Sequence, residues 1–459
     1  MKKRIVYILQ SMSFGGAEQM TLDILNGIDF EKNTVSLVSV QDILSPRISR
    51  LGLPVECLLS PAYRGPLTGI TSWADSRNGG CWNAFAAWVR FLKRLRPDKI
   101  ILGNAFYNFS FSEVLAASRV ARGNVYMIEN TVPWEPPRRS SRIHFGCLPG
   151  AGLWWHKMVL PLRARGSVVR GILTASEGLK QVALRWGYPP QKLWVTRHGI
   201  DTSKFSPPTQ ETRRQLRSAL GIPQQATVVV STARLSKEKC VHRLIEAFGR
   251  LASEDDTLWL LLIGDGPMKN QLASLVESSS YRHRIQFLGY SENIASVLQA
   301  SDIYVLPSQS ESLGLALLEA MASQLVCVAT RTLGPLEIIE PGQNGLLVDI
   351  SARGVLEGLR KALALSSQER LVMGRRARQT VVERFRVEDA GAKNAGAAQD
   401  RSCGPCAVRP NRIPPRVCSK GRRRLIISTE TGFPHVGPLT PHAYFCTLVV
   451  ARRVAFTFM

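Results

Sequence analysis

The chain has 459 residues, 45% of them hydrophobic and 20% charged. That length calls for two hydrophobic cores, and that composition excludes a disordered, collagen-like or coiled-coil protein. With 59 lysines and arginines against 35 acidic residues the net charge is +24, so the expected partners are polyanions: phosphates, anionic lipid or nucleic acid. No apolar run approaches the roughly 18 to 20 residues that span a bilayer. Behind the basic Met1-Lys2-Lys3-Arg4 only residues 5–9 are apolar, short of an export-signal core, and a cytoplasmic protein with reduced thiols is expected.

Residues 4–9 are a short β-branched run, 11–16 a turn containing Gly15 and Gly16, and 17–28 a segment with Met20, Ile24 and Ile28 at helical spacing. This is how a parallel α/β domain opens. Strands are expected at 34–40, 99–102, 125–128 and 172–175, with helices at 82–95 and 111–122, and the alternation predicts a doubly wound sheet. Residues 187–226 carry Pro189-Pro190, Gly199, Pro207-Pro208 and Pro223 and lack sustained periodicity, so they are expected to be a linker with one short helix. A second series follows, with strands at 227–231, 259–263, 285–287, 303–305, 326–329 and 345–348 and helices at 241–251 and 315–323. The expected organisation is a Rossmann-like domain over 1–186, a linker over 187–226, a second Rossmann-like domain over 227–390, and a ligand cleft between their facing strand ends.

Residues 391–459 are of another character, with 11 basic and 2 acidic side chains, Pro-rich stretches and Arg422-Arg423-Arg424. Cys403-Gly404-Pro405-Cys406 has the form of a dithiol motif, and Cys403, Cys406, His442 and Cys446 have a spacing that zinc accepts. Neither a strand before nor a helix after supports them, and a chance pairing is the preferred reading.

Several elements point to phosphate and sugar chemistry. At Gly15-Gly16 two residues without Cβ let backbone N–H groups approach an anion at a helix start, or serve a tight turn. Gly264-Asp265-Gly266-Pro267 ends a buried strand but lacks the third glycine of a dinucleotide fingerprint. Arg234 and Lys239 project from one strand-end loop and suit a diphosphate, the arginine by its fork and the lysine by its compact charge; the alternative is a pair of solvated loop cations. The sharpest signal runs from Ser308 to Glu319. It puts Glu311 in a strand-to-helix loop, exposes the N–H groups of Leu313, Gly314 and Leu315 at a helix start, and makes Glu319 the one charged side chain on an apolar helical stretch. Vicinal sugar hydroxyls are suitable donors to such a carboxylate.

These residues, in this order, resemble the large family 4 of retaining glycosyltransferases, which have the GT-B fold. The resemblance covers residues 3–386 and rests on Gly15-Gly16-Ala17-Glu18, Thr174-Ala175-Ser176-Glu177, His198-Gly199-Ile200-Asp201 through Phe205, Arg234-Leu235 with Lys239, Gly264-Asp265-Gly266-Pro267, and Glu311 with Glu319. It implies an α/β protein of two Rossmann-like domains that moves a hexose-type sugar from a nucleotide diphosphate sugar, of UDP or GDP type, to a surface polysaccharide or a lipid-linked glycan. By the resemblance Arg234 and Lys239 hold the diphosphate, and Glu311 stands by the transferred sugar. The N–H groups after Leu313, with Gly264, Gly314 and Leu315, line the donor site, and Glu319 takes the ribose hydroxyls. Gly15 and Gly16 approach the phosphate and acceptor from the other domain. No Asp-x-Asp pair occurs, in keeping with a metal-independent transferase that needs no cofactor.

The chain departs from the family pattern at His198, where asparagine is usual, and at Cys240, where glycine is usual. Glu129-Asn130-Thr131 replaces an acceptor-side histidine, and Glu129 is a candidate for that role or a structural cap. Past Phe385 relatives continue into a helix that crosses back onto the first domain, which this tail lacks; the last 65 or so residues read as foreign to the ancestral fold, for example a frame-shifted end.

Residues 136–176 contain no acid and seven cations, Arg138, Arg139, Arg142, Lys157, Arg163, Arg165 and Arg170, around Leu153-Trp154-Trp155 and Met158-Val159-Leu160. Such a mixture predicts a peripheral segment on the anionic inner face of a membrane, at about 1 kcal/mol per cation near the surface. The competing readings are a catalytically impaired scaffold that binds membranes or other polyanions by charge, and a sugar-nucleotide epimerase. No nucleic-acid recognition motif is present.

Overall fold

A computed structural model describes residues 2–9, 21–22, 24–25, 28–39, 55–59, 80–103, 111–129, 169–185, 188–196, 198–291 and 293–387. Gly15, Gly16, residues 130–168 and the tail from 388 onward, with its cysteines, lie outside them.

Two parallel sheets organise the described chain. The first contains β1 (Lys3–Leu9), β2 (Asn33–Ser39), β3 (Val55–Leu59), β4 (Lys99–Leu102), β5 (Val125–Glu129), β6 (Gly171–Thr174) and β7 (Leu193–Val195), in the order β3-β2-β1-β4-β5-β6-β7. Among the described residues it is accompanied by α1 (Gly80–Leu95), α2 (Phe111–Val120) and α3 (Glu177–Arg185). Val6, Ile8, Ile100, Leu102, Val125 and Met127 face the α1–α2 side, whereas Ile5, Tyr7, Leu9, Ile101 and Ile128 face a second apolar cluster. Strands covered on both faces are why these segments read as continuous apolar runs.

Two of these strands correct the expectation. β3 has no alternation in Val55-Glu56-Cys57-Leu58-Leu59, and its register is supplied by β2, with Leu37 opposite Cys57. β7 is three residues long and lies within the expected linker; pairing of Ile172 with Leu193 and Thr174 with Val195 makes it the edge of the first sheet. Short segments of this kind gain strand structure from a neighbour rather than from their own period.

The rest of the linker is also structured. Helix α4 (Gln210–Ala219) starts at Thr209, whose hydroxyl accepts from Thr212 N. It is bolted to the second sheet, which contains β8 (Thr227–Thr232), β9 (Leu258–Ile263), β10 (Ile285–Gly289), β11 (Ile303–Leu306), β12 (Val326–Thr330) and β13 (Leu346–Val348) in the order β10-β9-β8-β11-β12-β13. Arg217 is only 4% exposed and donates to the carbonyls of Ala300, Gln224 and Ala226 and, at 2.7 Å, to Asp302. The same carboxylate takes Arg213 at 2.6 Å and Val228 N at 2.8 Å. A buried guanidinium is tolerated because every arm has an acceptor.

Around the second sheet pack α5 (Val241–Ala252), α6 (Lys269–Glu277), α7 (Ile294–Ala300), α8 (Leu315–Ala322), α9 (Leu333–Ile338), α10 (Ala352–Ala364) and α11 (Ser367–Arg384). α11 opens with a capping box between Ser366 and Glu369. At its other end the chain returns to the linker: Ile200 N donates to Phe385 O at 2.7 Å and Val387 N to Ile200 O at 3.2 Å. Arg378 in α11 grips the linker by donating to Phe205 O at 2.8 Å and Thr202 O at 3.0 Å. The apolar core on one face of the second sheet takes in Ala175 and Leu179 of the first domain, so hydrophobic contact also joins the two halves. Among the described residues no helix is long and apolar enough to cross a membrane.

Removing one member of a buried ion pair strands the other. Replacing Asp302 by alanine leaves Arg217 without its counter-charge, and urea unfolding is expected to show a loss of about 3 to 5 kcal/mol; a change within about 1 kcal/mol would mean that the pair adds no more than an exposed one.

Candidate active site

In the second sheet β8 has β9 on one side and β11 on the other. Successive connections from β8 and from β11 run in opposite directions, so their carboxyl-end loops diverge and leave a crevice, the usual ligand position of an open parallel sheet. The residues singled out above fall there. Lys239 follows β8, Glu311 follows β11, and they meet at 2.6 Å with side chains 24% and 11% exposed.

The geometry of Glu311 is specific. Its Oε1 accepts from Lys239 Nζ at 2.6 Å and from the hydroxyl of Ser308 at 2.8 Å. No donor among the described residues reaches Oε2. Ser308 is fully buried, and its carbonyl accepts from the hydroxyl of Thr330 at the end of β12, at 2.5 Å. One carboxylate oxygen is therefore held by the protein and the other is left for a ligand donor.

The turn that presents Glu311 needs two glycines. Gly314 has φ 92° and is the N-cap of α8, a left-handed conformation that a side chain would strain. Gly334 of α9 lies so close to Leu313 that a Cβ would stand 1.9 Å from the Leu313 carbonyl oxygen, and its N–H donates to Glu311 O at 3.1 Å. With Leu313 buried and Gly314 turned back, the first N–H groups of α8 are presented at the start of the helix, where an anion or a sugar oxygen is favoured.

Glu319 lies one turn further along α8 and is part-buried. Tyr304 of β11 is fully buried, its hydroxyl 3.4 Å from Thr232 Oγ1. Burial pushes the Tyr304 phenol well above its ordinary range, and the charges of Glu311 and Glu319 push the same way. Tyr304, and the hold of Ser308 on Glu311, are features of the crevice that sequence reasoning misses. A buried tyrosine and a serine after a strand carry no motif of their own, and only the fold sets them against the carboxylates.

The β8 loop is braced by the loop after β9. Leu235 N donates to Asp265 O at 2.9 Å and Met268 N to Leu235 O at 2.8 Å. Gly264, with φ 134°, comes so near Ala233 that a Cβ would stand 1.9 Å from its carbonyl oxygen. Gly264 thus holds the two loops together beside the crevice. Arg234 extends from the braced loop, exposed and without an ion pair among the described residues. Cys240 has φ 50° at the start of α5, which accounts for the usual glycine. Its buried thiol donates to Lys237 O at 3.2 Å, and burial pushes the thiol up.

The crevice therefore brings together Lys239, Glu311, Leu313, Gly314, Leu315 and Glu319, with Arg234 on the same loop as Lys239 and Gly264 on the adjoining β9 loop. Glu129 stands at the carboxyl end of β5 in the first sheet, buried, its carbonyl accepting from Ala175 N at 3.2 Å. Gly15 and Gly16, which follow β1 in sequence, lie outside the described residues, as does the basic and aromatic segment up to residue 168.

Residues 212–380 match the family model described as glycosyl transferases group 1. Among curated proteins, the chain is 37% identical over 177 residues to the N-acetyl-alpha-D-glucosaminyl L-malate synthase of Bacillus anthracis, covering 38% of this chain and 45% of that one. It is 34% identical over 173 residues to the lipopolysaccharide core biosynthesis glycosyltransferase LpsE of Rhizobium meliloti, covering 38% and 49%. The chain thus spans about half the length of the curated relatives it matches. In fold it is similar to HepE of Anabaena, solved with UDP and glucose, at a TM-score of 0.67 and 20% identity over 86% of this chain and 98% of that one. WaaG, a glycosyltransferase involved in lipopolysaccharide biosynthesis, superposes at a TM-score of 0.65 and 19% identity over 86% and 99%. The fold is GT-B, as expected from the order of the motifs.

Position 240 offers a direct check on the loop. Glycine there relieves the left-handed strain but loses the buried thiol, whereas alanine keeps the strain and loses the thiol. Cys240→Gly is expected to unfold within about 0.5 kcal/mol of wild type, and Cys240→Ala about 1 kcal/mol earlier; the reverse order in urea would mean that backbone strain is not what glycine usually avoids here.

Proposed function

We propose, from the match of residues 212–380 to the model of the group 1 glycosyl transferases, that the chain is a retaining glycosyltransferase that uses a UDP or GDP sugar and adds the sugar to a surface polysaccharide or its lipid-linked precursor. The observation that carries this reading is the Lys239–Glu311 pair at the β8/β11 crevice, with the open N–H groups of α8 beside it. A cation, a carboxylate with one uncommitted oxygen and a helix start suit three parts of one ligand: a diphosphate, a sugar hydroxyl and an anionic oxygen.

In the proposed reaction Lys239 and Arg234 hold the diphosphate. The bond from the anomeric carbon to the phosphate oxygen breaks as the acceptor hydroxyl's oxygen bonds to that carbon and its proton passes to the departing phosphate, and the fixed cations and helix dipole offset the remaining charge on the departing nucleotide. This gives the two side chains the part that a divalent ion has in other transferases. As Lys239 turns toward the phosphate, Ser308 keeps its hold on Glu311, whose Oε2 accepts from a sugar hydroxyl. Glu319 takes the ribose hydroxyls, Gly264 keeps the β8 loop near the phosphate, and Gly15, Gly16 and Glu129 belong to the acceptor side. The basic and aromatic stretch around Trp154-Trp155 would keep the enzyme peripherally on an anionic membrane, where a lipid-linked acceptor resides.

Titration calorimetry of UDP and of GDP in the presence of a chelator tests the donor site. One of the two is expected to bind wild type saturably, and Glu319→Ala to weaken it by about tenfold or more, about 1.4 kcal/mol. Wild type that is folded and binds neither nucleotide would sink the transferase reading.

A further inference from the structure

The first turn of α3 in the first domain is capped from the second. Its own N-cap, Ser176, accepts from Leu179 N at 3.1 Å. The two N–H groups before that one, on Glu177 and Gly178, donate instead to Oε2 of Glu337 at 2.9 and 3.3 Å. Glu337 sits on α9, 160 residues away along the chain, and α9 packs closely here: a Cβ on Gly178 would stand 3.2 Å from Leu333 Cβ. A carboxylate at a helix start is favoured both by hydrogen bonding and by the helix dipole.

The same short helix touches the crevice. Gly334, one turn before Glu337, donates to Glu311 O at 3.1 Å and lies against the Leu313 carbonyl. The carbonyl of Glu337 accepts from Arg384 at 3.1 Å, at the end of α11 where the chain returns to the linker. α9 is thus fixed at three points: the loop that presents Glu311, the first domain, and the crossing.

We propose that Glu337 is a positioning residue that sets the cleft between the two domains, capping α3 across the interface and tying that cap through α9 to the backbone of Glu311 and Leu313. Its consequence for turnover rests on the transferase reading; the cap itself does not. In the transferase reading most nucleotide contacts, to Arg234, Lys239 and Glu319, come from the second domain, whereas transfer needs the acceptor side held at a fixed distance. Loss of the cap should therefore spare the first and impair the second.

The test uses the full chain with Glu337→Ala and Glu337→Gln, the glutamine keeping an oxygen that accepts both N–H groups. In hydrogen exchange, the first-turn amides of α3 are expected to exchange about tenfold faster in the alanine variant and within about threefold of wild type in the glutamine variant, while peptides of α5 keep wild-type protection. Unchanged α3 protection in the alanine variant overturns the proposal, as does a glutamine variant that exchanges as fast as the alanine one. With the nucleotide sugar that wild type turns over from a panel of UDP-glucose, UDP-N-acetylglucosamine and GDP-mannose, Glu337→Ala is expected to keep UDP or GDP affinity within about threefold and to lose about tenfold in kcat. Equal losses in affinity and kcat overturn the positioning role. A wild type that binds no nucleotide overturns the transferase reading instead and leaves the exchange result to decide the cap.

Discussion

The arrangement of the two halves depends on one close approach, at Gly199. A Cβ there would stand 2.1 Å from the Cα of Val387, so only glycine lets the outgoing linker and the returning chain lie side by side. Ile200 then exchanges backbone hydrogen bonds with Phe385 and Val387. Asp201 closes the turn by accepting from the hydroxyl of Ser203 and from the N–H groups of Lys204 and Ser203, and those bonds, the hydroxyl's first, hold its carboxyl below the usual range. Phe205 reaches the shared apolar core. Two crossings locked together at one point make a hinge rather than a loose tether, and the orientation of everything beyond it follows.

From that hinge the site is assembled by sheet order. Because β8 and β11 are neighbours although three connections separate them along the chain, a lysine and a glutamate 72 positions apart face each other across one crevice. Neither loop would keep its shape alone. The β8 loop is pressed against the β9 loop through Gly264, and the β11 loop against α9 through Gly334. Preorganisation here comes from backbone contact, which is stiffer than a side-chain contact and leaves the polar side chains available for a ligand.

Legibility in the sequence followed the physics of each element. Strands of the second domain, such as 259–263 and 326–329, are long apolar runs covered on both faces, so burial announced them. The spacing from Glu311 to Glu319 announced itself because a lone acid on an apolar helix has few explanations. β3 and β7 did not, since their pairing comes from β2 and β6, and Tyr304, Glu337 and the bond from Ser308 to Glu311 did not, since each matters only for what it touches. Cys240 lies between these cases: the departure from glycine was visible, but its left-handed backbone was not.

By itself, then, the amino-acid sequence determined two parallel α/β halves and marked which charged groups stand at strand ends and helix starts, because periodicity, glycine placement and isolated acids are local properties. Only the tertiary structure decided which oxygen of Glu311 is held, that a buried tyrosine feels the charge of both carboxylates, and that a glutamate of one domain caps a helix of the other. Those are relations between residues distant along the chain, and no local pattern encodes a distance that exists only after the sheets have formed and the hinge has brought them together.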